Sequence, residues 1–128
     1  MTRIISPTHA TQHVTAGPYS PVLGVTAGDV IVVSGQGPLD AAGTVVGADI
    51  SEQTRITLEN CGRQLATAGA SLADVFKVNV FLADLDEWEE FNAEYVRHFA
   101  EPLPVRTTVG ANLLLGMKVE IELWAAAS

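Results

Sequence analysis

Apolar residues recur along this chain in two rhythms, alternate positions in some stretches and every third or fourth in others. Ile4 and Ile5 predict a short edge strand ending at Ser6-Pro7. Val22 to Thr26 and Val30 to Val33 flank Ala27-Gly28-Asp29, which reads as a hairpin turn. Val30-Ile31-Val32-Val33 is a continuous apolar run and predicts a strand buried on both faces. Ser34-Gly35-Gln36-Gly37-Pro38 follows; such small residues let backbone approach a ligand, or else mark only a bulge and a turn. After a turn from Asp40 to Gly43, Thr44-Val45-Val46 predicts a short return strand.

Helical spacing then takes over. Asp49 followed by Glu52 has the form of a capping box, and Leu58, Cys61, Leu65 and Ala68 make one apolar stripe closed by Gly69. From Val75 to Leu82 the chain alternates, with Phe76, Val78, Val80 and Leu82 on one face and Lys77 and Asn79 on the other. Asp86 and Glu89 repeat the capping pattern, ahead of a stripe of Trp88, Phe91, Tyr95 and Phe99. Strands around Val105 to Val109 and from Lys118 to Trp124 end the chain. The expected fold is an α+β sandwich of one domain, residues 1–128, with two helices on one face of a mixed sheet.

Composition narrows the partners. Charged residues make up 17% of the 128 positions, against roughly a quarter in an ordinary soluble domain. A surface so short of charge is often hidden against another copy, so a homo-oligomer is expected. The net charge of −8, without any cluster of Lys or Arg, argues against nucleic acid, whose binding rests on cationic contacts. The lone Cys61 lies in a helical stripe, cannot form an internal disulfide, and suits a reducing cytoplasm. No stretch reads as a signal peptide or a membrane span. His9 and His13 stand four apart, but Pro7, Thr11, Thr15 and Gly17 place them in a loop without acidic or Cys neighbours, so no metal site is expected.

One residue stands out against this background. Arg106 is the sole charged side chain between Glu101 and Lys118, in the strand-forming run Val105-Arg106-Thr107-Thr108-Val109. Alternation puts Arg106 and Thr108 on one face and Val105, Thr107 and Val109 on the other. A guanidinium on so apolar a strand needs a partner. That partner is either a planar anion gripped by two parallel N–H bonds or an internal ion pair with Glu120 or Glu122. Glu120 and Glu122 face away from Val119, Ile121 and Leu123, and pairing of the last two strands would bring one glutamate near Arg106. Tyr19 is bracketed by Pro18 and Pro21 and so held by a stiff backbone, while Asn92 borders the second helix's apolar stripe.

Several of these segments together resemble the RidA/YjgF family of small imine deaminases. They are Gly17-Pro18-Tyr19-Ser20-Pro21, Val33-Ser34-Gly35-Gln36, the turn from Gly69 to Asp74, Val78 to Leu82, Phe91-Asn92, Pro104-Val105-Arg106-Thr107 and Val119 to Glu122, in order over nearly the whole chain. The resemblance implies a chorismate-mutase-like fold and a homotrimer with sites in the clefts between subunits. It assigns Arg106 to the substrate carboxylate and Glu120 to the attacking water. Tyr19, Ser34 and Asn92 would line the pocket, with Gly35 contacting the ligand through its backbone. The implied reaction is hydrolysis of 2-imino acids such as 2-iminopropanoate to 2-keto acids and ammonia, without metal or organic cofactor. Thr108, a further pocket residue, replaces a frequent Cys; Gly37, Leu113-Leu114-Leu115 and Trp124 also depart from the pattern, which bears on substrate choice. The rival readings are a non-catalytic trimer that binds 2-keto acids, an RNA-acting protein, and a structural trimer.

Overall fold

Both helical stretches lie between strand-forming stretches, and the direction of each crossover decides where the helices sit. In the computed structural model, which describes residues 3–127, the strands are β1 (Arg3–Ile5), β2 (Gly24–Thr26), β3 (Asp29–Gln36), β4 (Val75–Leu82), β5 (Val105–Gly110) and β6 (Val119–Ala127). The helices are α1 (Ile50–Thr67) and α2 (Trp88–Tyr95). A four-stranded sheet has the order β3-β6-β4-β5, and β1 pairs with β2 apart from it. β4 and β5 are parallel, whereas β6 runs antiparallel to both β3 and β4. The crossovers through α1 and α2 step across the sheet in the same direction, and connections of one hand then put both helices on one face. The α+β sandwich is thereby formed.

The helix caps explain part of the local order. Asp49 accepts from the Glu52 N–H at 2.9 Å, and Glu52 reaches back to the Ala48 N–H at 2.7 Å. Gly69, at φ +77°, supplies the left-handed turn after α1. The buried stripe of α1 is Ile50, Gln53, Thr54, Thr57, Leu58, Cys61 and Leu65; Ala68, expected in it, is an exposed C-cap. Gln53 donates to the Gly47 carbonyl and accepts from the Lys118 N–H, tying α1 to the approach of β6. Against this stripe pack Val78, Val80 and Leu82 of β4 with Ile121 and Leu123 of β6, all inaccessible to solvent. Each such side chain contributes about 1.5–3 kcal/mol by leaving water.

Several expectations are corrected. The Ala27-Gly28-Asp29 turn does not make a hairpin, since β2 pairs with β1 and β3 with β6. The Val30–Val33 run is not buried on both faces: Val33 is in the core, but Val30 and Val32 are 57% and 62% exposed. Thr44-Val45-Val46 makes only one isolated bridge, Leu39 to Val45. Phe76 leaves the core face because a register shift between Val75 and Lys77 lets Val75 take its place. α2 has no side-chain cap of its own; Asp84 instead caps a preceding 3₁₀ turn, Leu85–Glu87. Most important for the site, β5 and β6 do not pair, because β4 lies between them.

The face of the sheet opposite the helices is bare in the single chain. Alternation along β6 sends Val119, Ile121 and Leu123 to the helices and leaves Glu120, Glu122 and Trp124 on that other face. Val30 and Val32 of β3 share it, and the Lys77 ammonium sits 5.5 Å over the Trp124 ring. Among the described residues, no helix is long and apolar enough to cross a membrane.

Candidate functional site

Register places the guanidinium. Arg106 is opposite Val78 and Thr108 opposite Val80 in the parallel β4–β5 pair. Since Val78 and Val80 point at the helices, Arg106 and Thr108 do too. There α2 presents Phe91 and Tyr95, four apart and both inaccessible to solvent. The Arg106 Cζ lies 4.8 Å from the Tyr95 ring centre and 5.4 Å from that of Phe91. Tyr19 adds a third ring at 5.1 Å. Ser20 brings Tyr19 there: its hydroxyl donates to the Leu103 carbonyl and its N–H to that of Pro104, beside the start of β5. Gly17 fits this approach because a Cβ there would stand 2.9 Å from Trp88 and 3.2 Å from Arg106 Nη2.

The cage holds no carboxylate of the chain itself among the described residues. Arg106 is 8% exposed, yet its Nε, Nη1 and Nη2 have no hydrogen-bond partner among the described residues. The internal ion pair weighed from the sequence is therefore not made by Glu120 or Glu122. Burial pulls the guanidinium below its ordinary pKa, opposed by the neighbouring Tyr95 and Tyr19 hydroxyls. Burial likewise raises Tyr95, with Arg106 acting the other way. Further polar atoms near this end of α2 and on β5 are buried and unpaired: Asn92 Oδ1, Tyr95 Oη and Thr108 Oγ1. Orphaned polar atoms are rare in folded proteins and ask for an explanation.

Glu120 belongs to a different surface. It is opposite Phe81 on β4, hence on the face away from the helices and from Arg106. The approach of a glutamate to the guanidinium that pairing of the last two strands would give does not occur, because β4 separates the strands and the two side chains leave opposite faces. Glu120 rests on Gly35, where a Cβ would stand 2.6 Å from its Oε2. The polar residues singled out from the sequence thus fall into two groups. Arg106, Thr108, Asn92 and Tyr19 gather on the helix side; Glu120 and Gly35 meet near the end of β3, beside the exposed Ser34.

Tyr95 and Phe91 were legible only as core residues, since an apolar helical stripe does not reveal that it faces a cation. Cys61 is core as expected, its thiol pushed up to about 12 by burial. Among the described residues, no three His, Cys, Asp or Glu side chains are grouped to hold a metal ion.

Residues 10–127 match the family described as endoribonuclease L-PSP. The mitochondrial protein mmf2 of Schizosaccharomyces pombe is 41% identical over 114 residues, covering 86% of this chain and 88% of its own. A 2-iminobutanoate/2-iminopropanoate deaminase of Salmonella typhimurium is 38% identical over 124 residues, covering 92% of this chain and 95% of its own. The crystal structure of yeast Mmf1 aligns at a TM-score of 0.75 and 32% identity, covering 98% of this chain and 100% of that one.

Proposed function

Because the chain belongs to the endoribonuclease L-PSP family, that of the RidA/YjgF proteins, we propose that it hydrolyses reactive 2-imino acids to 2-keto acids and ammonia. The observation that carries this reading is a buried guanidinium in an aromatic cage, its nitrogens unpaired by any side chain or backbone group among the described residues. Such a group is suited to a planar carboxylate, which accepts two parallel N–H bonds and relieves the unpaired donors. A 2-imino acid offers that carboxylate beside an electrophilic carbon.

The chemistry follows from the two groups of residues. Arg106 fixes the carboxylate and so the adjacent C=N carbon. Glu120 accepts a proton as water attacks that carbon, forming the C–O bond while the π electrons move to nitrogen. The proton passes to nitrogen, giving a carbinolamine. The hydroxyl proton then passes by way of Glu120 to the NH₂ nitrogen, the C–N bond breaks to release ammonia, and the oxygen lone pair restores the carbonyl. General acid–base help of this kind contributes roughly 10²–10⁴-fold. No step calls for a metal or an organic cofactor.

Arg106 and Glu120 leave opposite faces of one sheet, so they serve one reaction only if different copies supply them. We therefore place the sites between subunits of a homotrimer, in which the sheet face bearing Val30, Val32 and Trp124 is covered by neighbouring copies. The partners in this reading are copies of the chain and a small carboxylate. The acidic balance disfavours RNA, and no membrane role is invoked. The compartment is a reducing one, the cytoplasm in the first instance.

The separation of the two faces also favours a second reading: an isolated chain would bind a 2-keto acid without turning over an imine. A coupled assay decides between them. A pyridoxal-phosphate dehydratase generates 2-iminopropanoate and 2-iminobutanoate, and their decay is followed with and without the protein. Faster decay is expected, lost in Arg106→Ala and strongly reduced in Glu120→Gln, while Glu120→Gln still binds 2-ketobutanoate. Binding without acceleration would establish the second reading, and full turnover by Arg106→Lys would rule out the bidentate grip.

A further inference from the structure

Glu120 rests on a stretch of backbone that the sheet alone does not hold. Val33 pairs with Leu123 and Gln36 with Ile121, so Ser34 and Gly35 stand opposite Glu122 alone and β3 bulges there. The Gln36 side chain donates to the Ser34 carbonyl at 3.1 Å. Beyond the bulge the chain leaves the sheet, and α1 takes hold of it. Asn60 Nδ2 donates to the Gly37 carbonyl at 2.8 Å and to that of Leu39 at 3.0 Å, while Asn60 Oδ1 accepts from Arg63. Both amide hydrogens are thereby committed to the loop, from a helix position that asparagine does not favour. On its other side Gly37 packs against Met117, which leads into β6, so closely that a Cβ there would run into the sulfur.

The geometry points to Asn60 as a positioning residue: its amide fixes the Gly37–Leu39 loop, and through it the bulge that sets where the Glu120 carboxylate lies. This rests on the role proposed for Glu120 in imine hydrolysis and deepens it. The contact is close, since a Cβ at Gly35 would stand 2.6 Å from Glu120 Oε2. The same segment borders a cavity of about 430 Å³, whose lining includes Gly35, Gly37, Leu39, Asn60, Arg63 and Gln64. Without the Asn60 amide the loop has room to settle into that space, drawing Gly35 away from the carboxylate. The water that Glu120 orients then falls out of line with the imine carbon. A displacement of about 1 Å is enough to lower a rate about 100-fold. Arg106 leaves the opposite face of the sheet and keeps its grip on the substrate carboxylate.

The coupled imine assay, joined to calorimetry with 2-ketobutanoate, tests this. Asn60→Ala should lower kcat about 10–100-fold, with KM and 2-ketobutanoate affinity little changed. Asn60→Asp keeps the shape of the side chain and its contact with Arg63 but has no N–H to give, so its kcat should fall as far. Rates are taken per binding site counted by calorimetry, which removes any unfolded fraction. The deciding readout is coupling. In a Glu120→Gln background, Asn60→Ala should change the residual turnover less than about twofold, because the group it positions is no longer a base. A residue that only supports the fold would lower turnover by the same factor in both backgrounds. Full turnover in Asn60→Ala, an equal fall in the Glu120→Gln background, or loss of 2-ketobutanoate binding in both Asn60 variants would overturn the assignment and leave the role of Glu120 standing. Full turnover by Glu120→Gln alone would refute the role of Glu120 first, and this inference with it.

Discussion

Replacing Arg106 with methionine should make the protein more stable while abolishing ligand binding. The magnitude follows from the cage. Three guanidinium nitrogens are buried without partners among the described residues, and each unsatisfied group costs about 1–3 kcal/mol, or roughly 3–9 in all. Three rings within 4.8 to 5.4 Å of Arg106 Cζ oppose this, at about 1–2 kcal/mol each in a desolvated setting, or roughly 3–6 together. The remainder leaves the arginine destabilising by a small margin, on the order of 1–3 kcal/mol. Methionine keeps an unbranched apolar stem against the same rings and needs no hydrogen bonds. Urea titration at fixed protein concentration should therefore show a higher midpoint for Arg106→Met with an unchanged slope. Calorimetry should show no 2-ketobutanoate binding. A lower midpoint would mean that the guanidinium has a partner in solution, and the unpaired cation on which the functional reading rests would be lost.

Two further outcomes are expected. In Gly35→Ala the new methyl would stand 2.6 Å from Glu120 Oε2, so the carboxylate must shift; imine turnover should fall about 10–100-fold with 2-ketobutanoate affinity nearly unchanged, and unaltered turnover would remove the role assigned to that contact. The Cys61 thiol is raised by burial from 9.0 to about 12, so above pH 9 the unfolded chain gives up this proton first and binds fewer protons than the native state. Stability should fall as pH rises, with up to about 1.4 kcal/mol per pH unit due to this group. Cys61→Ala should flatten that part of the slope in urea titrations between pH 9 and 10, and an unchanged slope would show that the thiol does not titrate so differently on unfolding.

The period of the apolar pattern, the caps and the turn residues were sufficient to determine α1, β4, β5 and β6 and the two faces of β6. These are local properties, set by side-chain spacing and by the conformational freedom of residues such as Gly69. Arg106 was legible for the same reason, as a charge on a strand with little else charged around it. Strand pairing was not legible. Inserting β6 between β3 and β4, and β4 between β6 and β5, depends on contacts far apart in the chain. The hairpin expected at Gly28 is absent on that account, and so is the pairing of the last two strands on which an Arg106–glutamate contact depended.

The sequence by itself thus determined which residues are polar, which elements carry them and which side of each element they leave. Only the tertiary structure decided that Phe91, Tyr95 and Tyr19 surround one guanidinium, that its nitrogens and Asn92 Oδ1 are left unpaired, and that Glu120 turns the other way. The physical reason is that alternation sets the two faces of a strand but not which of them the helices cover, a choice made by the strand order and by the direction of the crossovers.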